Sequence, residues 1–362
     1  MTIKQCQHNL RFKYWHLWGL AFCVCWALQG YAHEGHDHPP ADRKQKSVTV
    51  QPITLDGLQQ QLSKVTHLGF AESTLPSLQA ALETLKVNNE QEEVRRLYLL
   101  AKLQQHQHDF FTANQTLQQA LKSQPHNADL WLLKASVLNN LGEHEQAVKA
   151  CEKLLAVADA SIIAACVVET RMQVIPDHIH VLYAQLLKML PSSDGLPAAQ
   201  RHWTNEILAT LALSMDEPEL ALSHLQEEYL ADTQVSYIAL WADVQLALNH
   251  HQQVLNKLVA ITEGHADIND ALLLRLAMAE KASDSGKKWL KAMRARIAQR
   301  SDEHNYAHAA ELAKFYLYVE QDSTQASYWA KVNFNHAKSS ADFYLLQETH
   351  QSINQTAPGK GM

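Results

Sequence analysis

Residues 94–127 read VRRLYLLAKLQQHQHDFFTANQTLQQALKSQPHN, and the spacing of their apolar side chains decides the fold. Apolar residues recur every three or four positions, which is the period of an amphipathic α-helix. The polar break Gln124–Asn127 ends this stretch, and residues 128–161 repeat the same pattern. Helices joined by such short breaks must be antiparallel neighbours.

The two stretches resemble tandem tetratricopeptide repeats (TPRs), which are helical hairpins of 34 residues. The resemblance places small residues where helix A and helix B of one repeat touch, and larger apolar residues between neighbouring repeats. Gly142 and Pro125 would shape the turns. The matching residues are Leu97, Leu100, Ala101, Phe110, Ala113, Ala120 and Leu121, followed by Trp131, Ala135, Leu138, Ala147, Leu154 and Leu155.

The repeat pattern fades along the rest of the chain but persists. Residues 202–235 keep several apolar positions of the repeat, and residues 306–340 do so with one apparent insertion. We therefore predict an all-α, TPR-like α-solenoid over residues 55–353, with about fourteen helices and no strand. A plain helical hairpin is the alternative for any single weak repeat.

Composition excludes several other classes of protein. The chain has 362 residues, of which 46% are hydrophobic and 19% charged, so it is not a disordered chain. Only four glycines occur between residues 69 and 359, fewer than a Rossmann domain, a P-loop domain or a hairpin-rich β fold needs. No catalytic motif such as GxSxG, HExxH or a Walker loop is present, and we expect no enzyme activity.

The N-terminus has the layout of a secretory signal peptide, residues 1–32. Three basic residues precede the apolar stretch 15–28, and Gly30-Tyr31-Ala32 provides small residues for cleavage after Ala32. We predict an exported, periplasmic protein with no stable membrane span after cleavage. An uncleaved N-terminal anchor is the alternative. The mature chain has 28 basic and 38 acidic residues, and this acidic surface argues against a nucleic-acid partner.

A stack of helical hairpins forms a long concave groove, which suits a protein or peptide partner. The usual geometry of the repeat implies that five residues of the A helices face this groove. Simple solvation of an exposed face is the alternative. The five residues are Arg95, Tyr98, Lys102, Asn139 and Asn140.

The mature N-terminus is rich in metal-binding side chains. The tract His33-Glu34-Gly35-His36-Asp37-His38 holds three imidazoles and two carboxylates within a polar tail, residues 33–54, that we predict to be disordered. Imidazole binds Cu, Ni and Zn well, and a flexible tract can wrap such an ion. A polar tail that binds metal only weakly is the alternative. We expect a second flexible tail over residues 354–362.

Two cysteines, Cys151 and Cys166, remain after the signal peptide is removed. They stand at similar distances from the turn near Ala158-Asp159, in two successive antiparallel helices. The sequence leaves open a disulfide or two buried free thiols.

Two functions from different classes follow. The first is an exported scaffold that binds a protein or peptide in its groove. The alternative is a metal-handling accessory protein that captures Cu, Ni or Zn, or relays it to a transporter or metalloenzyme.

Overall fold

The computed structural model describes residues 53–68, 72–190, 196–227, 230, 233–265 and 267–356. Within these ranges the chain forms seventeen α-helices and no β-strand, so the prediction of an all-α solenoid is confirmed. The helices outnumber the predicted fourteen because short ones, such as Pro218–Ser223, contain too few residues for a helical period to show. In the same ranges, no helix is both long enough and apolar enough to cross a membrane.

The solenoid consists of two halves joined in sequence. The first half contains α1 Leu55–Leu68, α2 Leu75–Thr84, α3 Glu90–His106, α4 Phe110–Ser123, α5 Ala128–Asn140, α6 His144–Glu152, α7 Ala160–Arg171 and α8 Ile179–Met189. The second half contains α9 Ala198–Ser214, α10 Pro218–Ser223, α11 Val235–Ala247, α12 His251–Thr262, α13 Asp270–Ser283, α14 Lys288–Asp302, α15 Ala309–Lys314, α16 Ser323–His336 and α17 Ser340–Thr356.

Side-chain caps fix where the helices of the clear repeats begin. The side chains of Asn89, Asp109 and Asn127 each accept a hydrogen bond from the backbone N–H three residues further on. Such a bond satisfies one of the backbone donors that the first turn of a helix leaves unpaired. Helices α3, α4 and α5 therefore start at defined points, and the turns between them are short, with three and four residues.

The alanines of the two clear repeats lie where their helices touch. Ala101, Ala113 and Ala147 are fully buried, which allows α3 to pack closely on α4 and α5 on α6. Tyr98 and Trp131 each contact two successive apolar clusters. The core is therefore continuous from one repeat to the next.

The insertion noted in residues 306–340 has a structural counterpart. Helix α15 continues directly into a π-helical segment, Phe315–Glu320, before α16 begins. A π-helix closes its hydrogen bonds over five residues, so it absorbs an extra residue without breaking the helix. This weak repeat therefore keeps its helical hairpin despite its greater length.

The second half curves back so that the starts of its helices face the ends of helices in the first half. A small cavity of about 70 Å³ lies at this junction. Thr66 and His106, from the ends of α1 and α3, line one side of it. Ser236, Ala271 and Ala310, from the starts of α11, α13 and α15, line the other. Helix α1 also contacts α11 directly.

A short connection, Ala337–Ser340, completes this junction, and we call it the closing segment. The Lys338 N–H donates to the carbonyl oxygen of Asn140 at 2.7 Å. The N–H and the hydroxyl of Ser340 donate to Gln173 Oε1 at 3.2 and 2.7 Å. Ala337 is buried against the apolar cluster of α3–α5. The connection between α16 and α17 is thus seated on the first half.

A buried ion pair joins two neighbouring helices of the second half. Arg275 of α13 donates from Nε and Nη2 to the two carboxylate oxygens of Asp243 on α11, at 2.9 and 2.6 Å. The two side chains are only 1% and 3% exposed. The bidentate hydrogen bonding offsets the free-energy cost of removing both charges from water.

Replacing Arg275 should therefore cost far more stability than replacing an exposed arginine. We expect Arg275→Ala to lower the free energy of unfolding by about 3–5 kcal/mol, because the buried Asp243 carboxylate loses both hydrogen bonds from Arg275. Arg294 pairs with Glu320 but is 59% exposed, and Arg294→Ala should cost less than about 1 kcal/mol. Urea unfolding followed by circular dichroism measures both. Equal losses of unfolding free energy in the two variants would contradict a larger contribution from the buried pair.

Candidate functional site

A groove of about 760 Å³ lies along the joint of the two halves, and we call it the interhalf groove. Its walls are the turn between α3 and α4, the turn between α14 and α15, and the end of α16 with part of the closing segment. The lining residues are Gln107, His108, Asp109, Phe110, Phe111, Leu141, Glu303, His304, Asn305, Tyr306, Ala307, Asn333, Asn335, His336 and Lys338.

Phe111 is the most exposed aromatic side chain of this groove. Helix α4 buries a stripe that includes Phe110, Ala113 and Leu117, and Phe111 falls outside that stripe, so it is 65% exposed. An exposed aromatic ring beside polar groups is a common anchor for a partner. The volume of the groove is in the range of known ligand pockets.

Amide and imidazole side chains surround this ring. Gln107, Asn305 and Asn335 each offer both a donor and an acceptor. An extended peptide presents alternating N–H and C=O groups, so side chains that can do both suit its backbone. The interhalf groove therefore combines an apolar anchor with hydrogen-bonding partners for a polypeptide segment.

Two imidazoles meet across the joint. The rings of His108 and His308 are 5.0 Å apart between centroids, in an edge-to-face arrangement. His108 and His304 both have left-handed backbone conformations, with φ of 61° and 52°. Histidine is among the residues that tolerate this conformation in tight turns. In the part of the chain that the structure describes, no group of three or more His, Cys, Asp or Glu side chains is arranged to hold a metal ion.

The three predicted partner residues of α3 are half-buried and have contacts within the chain. Arg95 donates to Gln59 Oε1 and pairs with Asp56, both on α1. The Lys102 ammonium lies 5.5 Å from the centre of the Tyr98 ring. Partner contact by Arg95, Tyr98 and Lys102 stays a prediction.

Asn139 and Asn140 differ from the expectation of an open inner face. Both are buried, and Asn139 donates to the Thr170 hydroxyl of α7 at 3.1 Å. Asn140 donates from its amide to the carbonyl of Ser136 and accepts the N–H of Lys338. Helix α7 of the next helix pair covers Asn139, and the closing segment covers Asn140. The second of these is a long-range contact that the repeat pattern does not contain.

Cys151 and Cys166 form a disulfide in the structure, with a Cα–Cα distance of 5.7 Å. The bond links α6 of the second clear repeat to α7 of the next helix pair. The predicted signal peptide and the predicted metal ligands His33, Glu34, His36, Asp37 and His38 lie outside the described residues.

Sequence reasoning used Phe110 for the repeat match and passed over Phe111. The signal was present, because an apolar residue next to a buried stripe but outside it is a candidate for a surface contact. The other walls of the groove come from residues near 305 and 335. Only the three-dimensional closure brings these residues to Phe111.

Two buried carboxyl groups form a second unusual cluster, between α7 and α9. Glu169 and Glu206 are each 6% exposed, and the Trp203 indole N–H donates to Glu169 at 3.2 Å. Burial, with the neighbouring Glu206 carboxylate, raises the pKa of Glu169 to about 8. Burial likewise raises the pKa of Glu206 to about 7.

A family model described as tetratricopeptide repeat matches residues 105–165. This segment runs from the end of α3 into α7 and contains the hairpin of α5 and α6, together with α4 of the preceding hairpin. This part of the chain matches the tetratricopeptide repeat family. The match covers the second clear repeat, most of the first and one of the two disulfide cysteines, Cys151.

Solved structures of TPR proteins align with most of the chain. A tetratricopeptide repeat protein from Parabacteroides merdae is 13% identical, with 82% of this chain and 98% of that chain covered and a TM-score of 0.37. The TPR domain of P58(IPK) is 11% identical, with 84% and 99% covered and a TM-score of 0.26. None of the curated proteins matches the chain.

The raised pKa values of Glu169 and Glu206 make the stability of the protein depend on pH. Between about pH 4.5 and 8, the folded chain keeps protons on Glu169 and Glu206 that the unfolded chain releases. The free energy of unfolding should therefore fall as pH rises through this window. In the double variant Glu169→Gln/Glu206→Gln both side chains stay neutral at every pH. The decrease in the free energy of unfolding between pH 5.5 and 8.5 should therefore be smaller than in the wild type, by more than about 1 kcal/mol. Denaturant titrations of both proteins at pH 5.5 and 8.5 measure this difference. The same pH dependence of the unfolding free energy in the variant and the wild type would contradict the prediction.

Proposed function

We propose that this TPR protein is an exported scaffold that binds a segment of a protein partner in the interhalf groove. The observation that carries the proposal is the exposed Phe111 ring in a 760 Å³ groove lined by amide and imidazole side chains. The repeat family supports a role in protein–protein interaction. The groove offers groups that bind and orient a polypeptide, and binding rather than catalysis is the proposed role.

The chemistry of the groove defines the partner segment. An aromatic or aliphatic side chain would cover Phe111 and Tyr306, and its flanking backbone would hydrogen-bond to Asn305 and Asn335. Lys338, Asp109 and Glu303 place both charge signs at the groove, so a segment of mixed charge suits it better than a strongly charged one. An extended segment of a few residues fits a groove of this volume.

Export to an oxidising compartment is part of the proposal. It is supported by the signal-peptide layout of residues 1–32. A disulfide between Cys151 and Cys166 is compatible with such a compartment, because disulfides are rare where the cell keeps thiols reduced. The periplasm is the proposed location.

A photo-cross-linking amino acid in place of Phe111 tests the site. Leu155 is 71% exposed and lies outside the groove, so the same substitution there is a matched control. We expect a discrete cross-linked protein at position 111 and none at position 155 after irradiation of cells that export the protein. Equal adducts at both positions, or none at position 111, would contradict the proposed site.

The captured partner then allows a quantitative measurement. A side chain that anchors an interface contributes about 2 kcal/mol or more, so Phe111→Ser should weaken binding about 30-fold. Leu155→Ser should change the affinity less than twofold. Calorimetric titration with the purified partner gives both values.

Metal capture by the N-terminal tract is the second proposed function. The observation that favours it is the cluster of His33, His36 and His38 with two carboxylates in six residues. Cu(II) or Ni(II) would bind more tightly than Mn(II), following the general affinity order of nitrogen ligands. A free α-amine at His33 would add a further ligand if the signal peptide is cleaved after Ala32.

Calorimetric titration of the mature chain with Cu(II) or Ni(II) tests this proposal. We expect roughly 1:1 stoichiometry and an affinity that falls below about pH 6.5, where imidazole is protonated. The triple variant His33→Ala/His36→Ala/His38→Ala should lose the binding, whereas His178→Ala/His180→Ala, at two exposed histidines of the solenoid, should keep it. Unchanged binding by the triple variant would place the metal elsewhere.

A further inference from the structure

The joint at the helix ends is much less apolar than the boundary between α8 and α9, where four buried residues of α9 share one apolar cluster with α5–α8. In the described cluster built by α3–α5, Ala337 is the only buried member that comes from the second half. The other contacts of the closing segment are hydrogen bonds to Asn140 and Gln173. Water can replace hydrogen bonds of this kind when the joint opens. Because few apolar side chains are buried at the helix ends, opening there also exposes little apolar surface.

Open space borders this joint on several sides. The interhalf groove lies on one side, and a second cavity of about 470 Å³ lies between α2, the end of α3 and α14. The small central cavity lies between them at the helix ends and is lined by both halves. Since solvent-lined space surrounds the contacts at the helix ends, this joint can open while the apolar core that α9 shares with α7 and α8 keeps the two halves together.

The closing segment is also part of the groove. Lys338 lines the interhalf groove while its N–H is bound to Asn140. His336 and Asn335, just before the segment, line the same wall. Movement of the segment away from the first half would carry this wall away from Phe111.

We propose that the closing segment is a reversible latch that assembles the interhalf groove. When Ala337–Ser340 is seated on Asn140, Gly142 and Gln173, the three walls of the groove come together, and when it leaves, they separate. A segment bound in the groove contacts both halves and so holds the latch closed. By reciprocity, closing the latch raises the affinity of the groove by the same factor. The coupling between latch closure and partner affinity rests on the proposed function, whereas the opening and closing of the latch does not.

Gly142 offers a way to open the latch selectively. A Cβ at this position would lie 3.0 Å from the Lys338 carbonyl oxygen and 3.2 Å from the Lys338 Cβ, so a side chain there pushes against the closing segment. Gly264 has nearly the same backbone, with φ of +79° against +75°, and a Cβ there would meet nothing within 4 Å. Gly142→Val and Gly264→Val therefore both place valine at a positive φ of similar size, but only the first disturbs the joint.

Electron spin resonance between two labels reads the state of the latch. Spin labels on Gln118→Cys of α4 and Lys331→Cys of α16, both exposed positions, report the distance between the halves. Cys151 and Cys166 are taken up in the disulfide, so labelling of the mature, unreduced chain is confined to the introduced thiols.

We expect one narrow distance distribution for the otherwise wild-type chain and for Gly264→Val. In Gly142→Val the distribution should broaden and shift to longer distances, with the helical circular dichroism retained. Gln173→Ala, which removes the acceptor of both Ser340 bonds without adding bulk, should shift it in the same direction. If Gly142→Val does not fold, the distance distribution of Gln173→Ala tests the latch in its place.

Equal distributions in all variants, or an equal shift in Gly142→Val and Gly264→Val, would overturn the latch. The labels report without any partner. Failure of the latch therefore appears in these distances, whereas failure of the proposed function appears as a missing adduct at position 111.

Discussion

The meeting of helix ends across the two halves is the contact on which the rest of this structure depends. The last turn of a helix leaves carbonyl oxygens unpaired, and the first turn leaves N–H groups unpaired. Here the end of α5 offers the Asn140 carbonyl to the N–H of Lys338, and Gln173, just after α7, accepts the first N–H of α17. The partial charges at helix ends favour this arrangement, because the negative ends of one half face the positive starts of the other.

This arrangement explains why the functional groups lie where they do. A joint made of helix ends is polar, since capping and turn residues such as His108, His308 and Gln173 gather there. Polar joints pack less tightly than apolar cores, and three cavities lined by described residues accordingly lie along this one. The interhalf groove is thus a consequence of closure, and Phe111 gains its polar surroundings only because the second half curves back to it.

The sequence predicted the elements that depend on local pattern. The alanines at 101, 113 and 147 are buried where the repeat requires them, and the insertion in residues 306–340 corresponds to the π-helical segment. Closure was beyond such reasoning, because Gln173 and Ser340 are 167 residues apart and neither carries a recognisable motif. For the same reason Asn140, which the closing segment covers, was expected on an open face. Asn139 is covered by the neighbouring helix α7. The buried pair Asp243–Arg275 was missed because charged residues in a helix are ordinarily read as surface residues.

The overall shape of the protein in solution tests the central claim most directly. A closed pair of half-solenoids is compact, and a compact chain of this length has a radius of gyration of about 20 Å. Small-angle X-ray scattering of the mature protein should give a value close to this, with a single-peaked distribution of interatomic distances. A much larger radius, with a distribution that extends far beyond its peak, would describe an open superhelix. That result would contradict closure through helix ends.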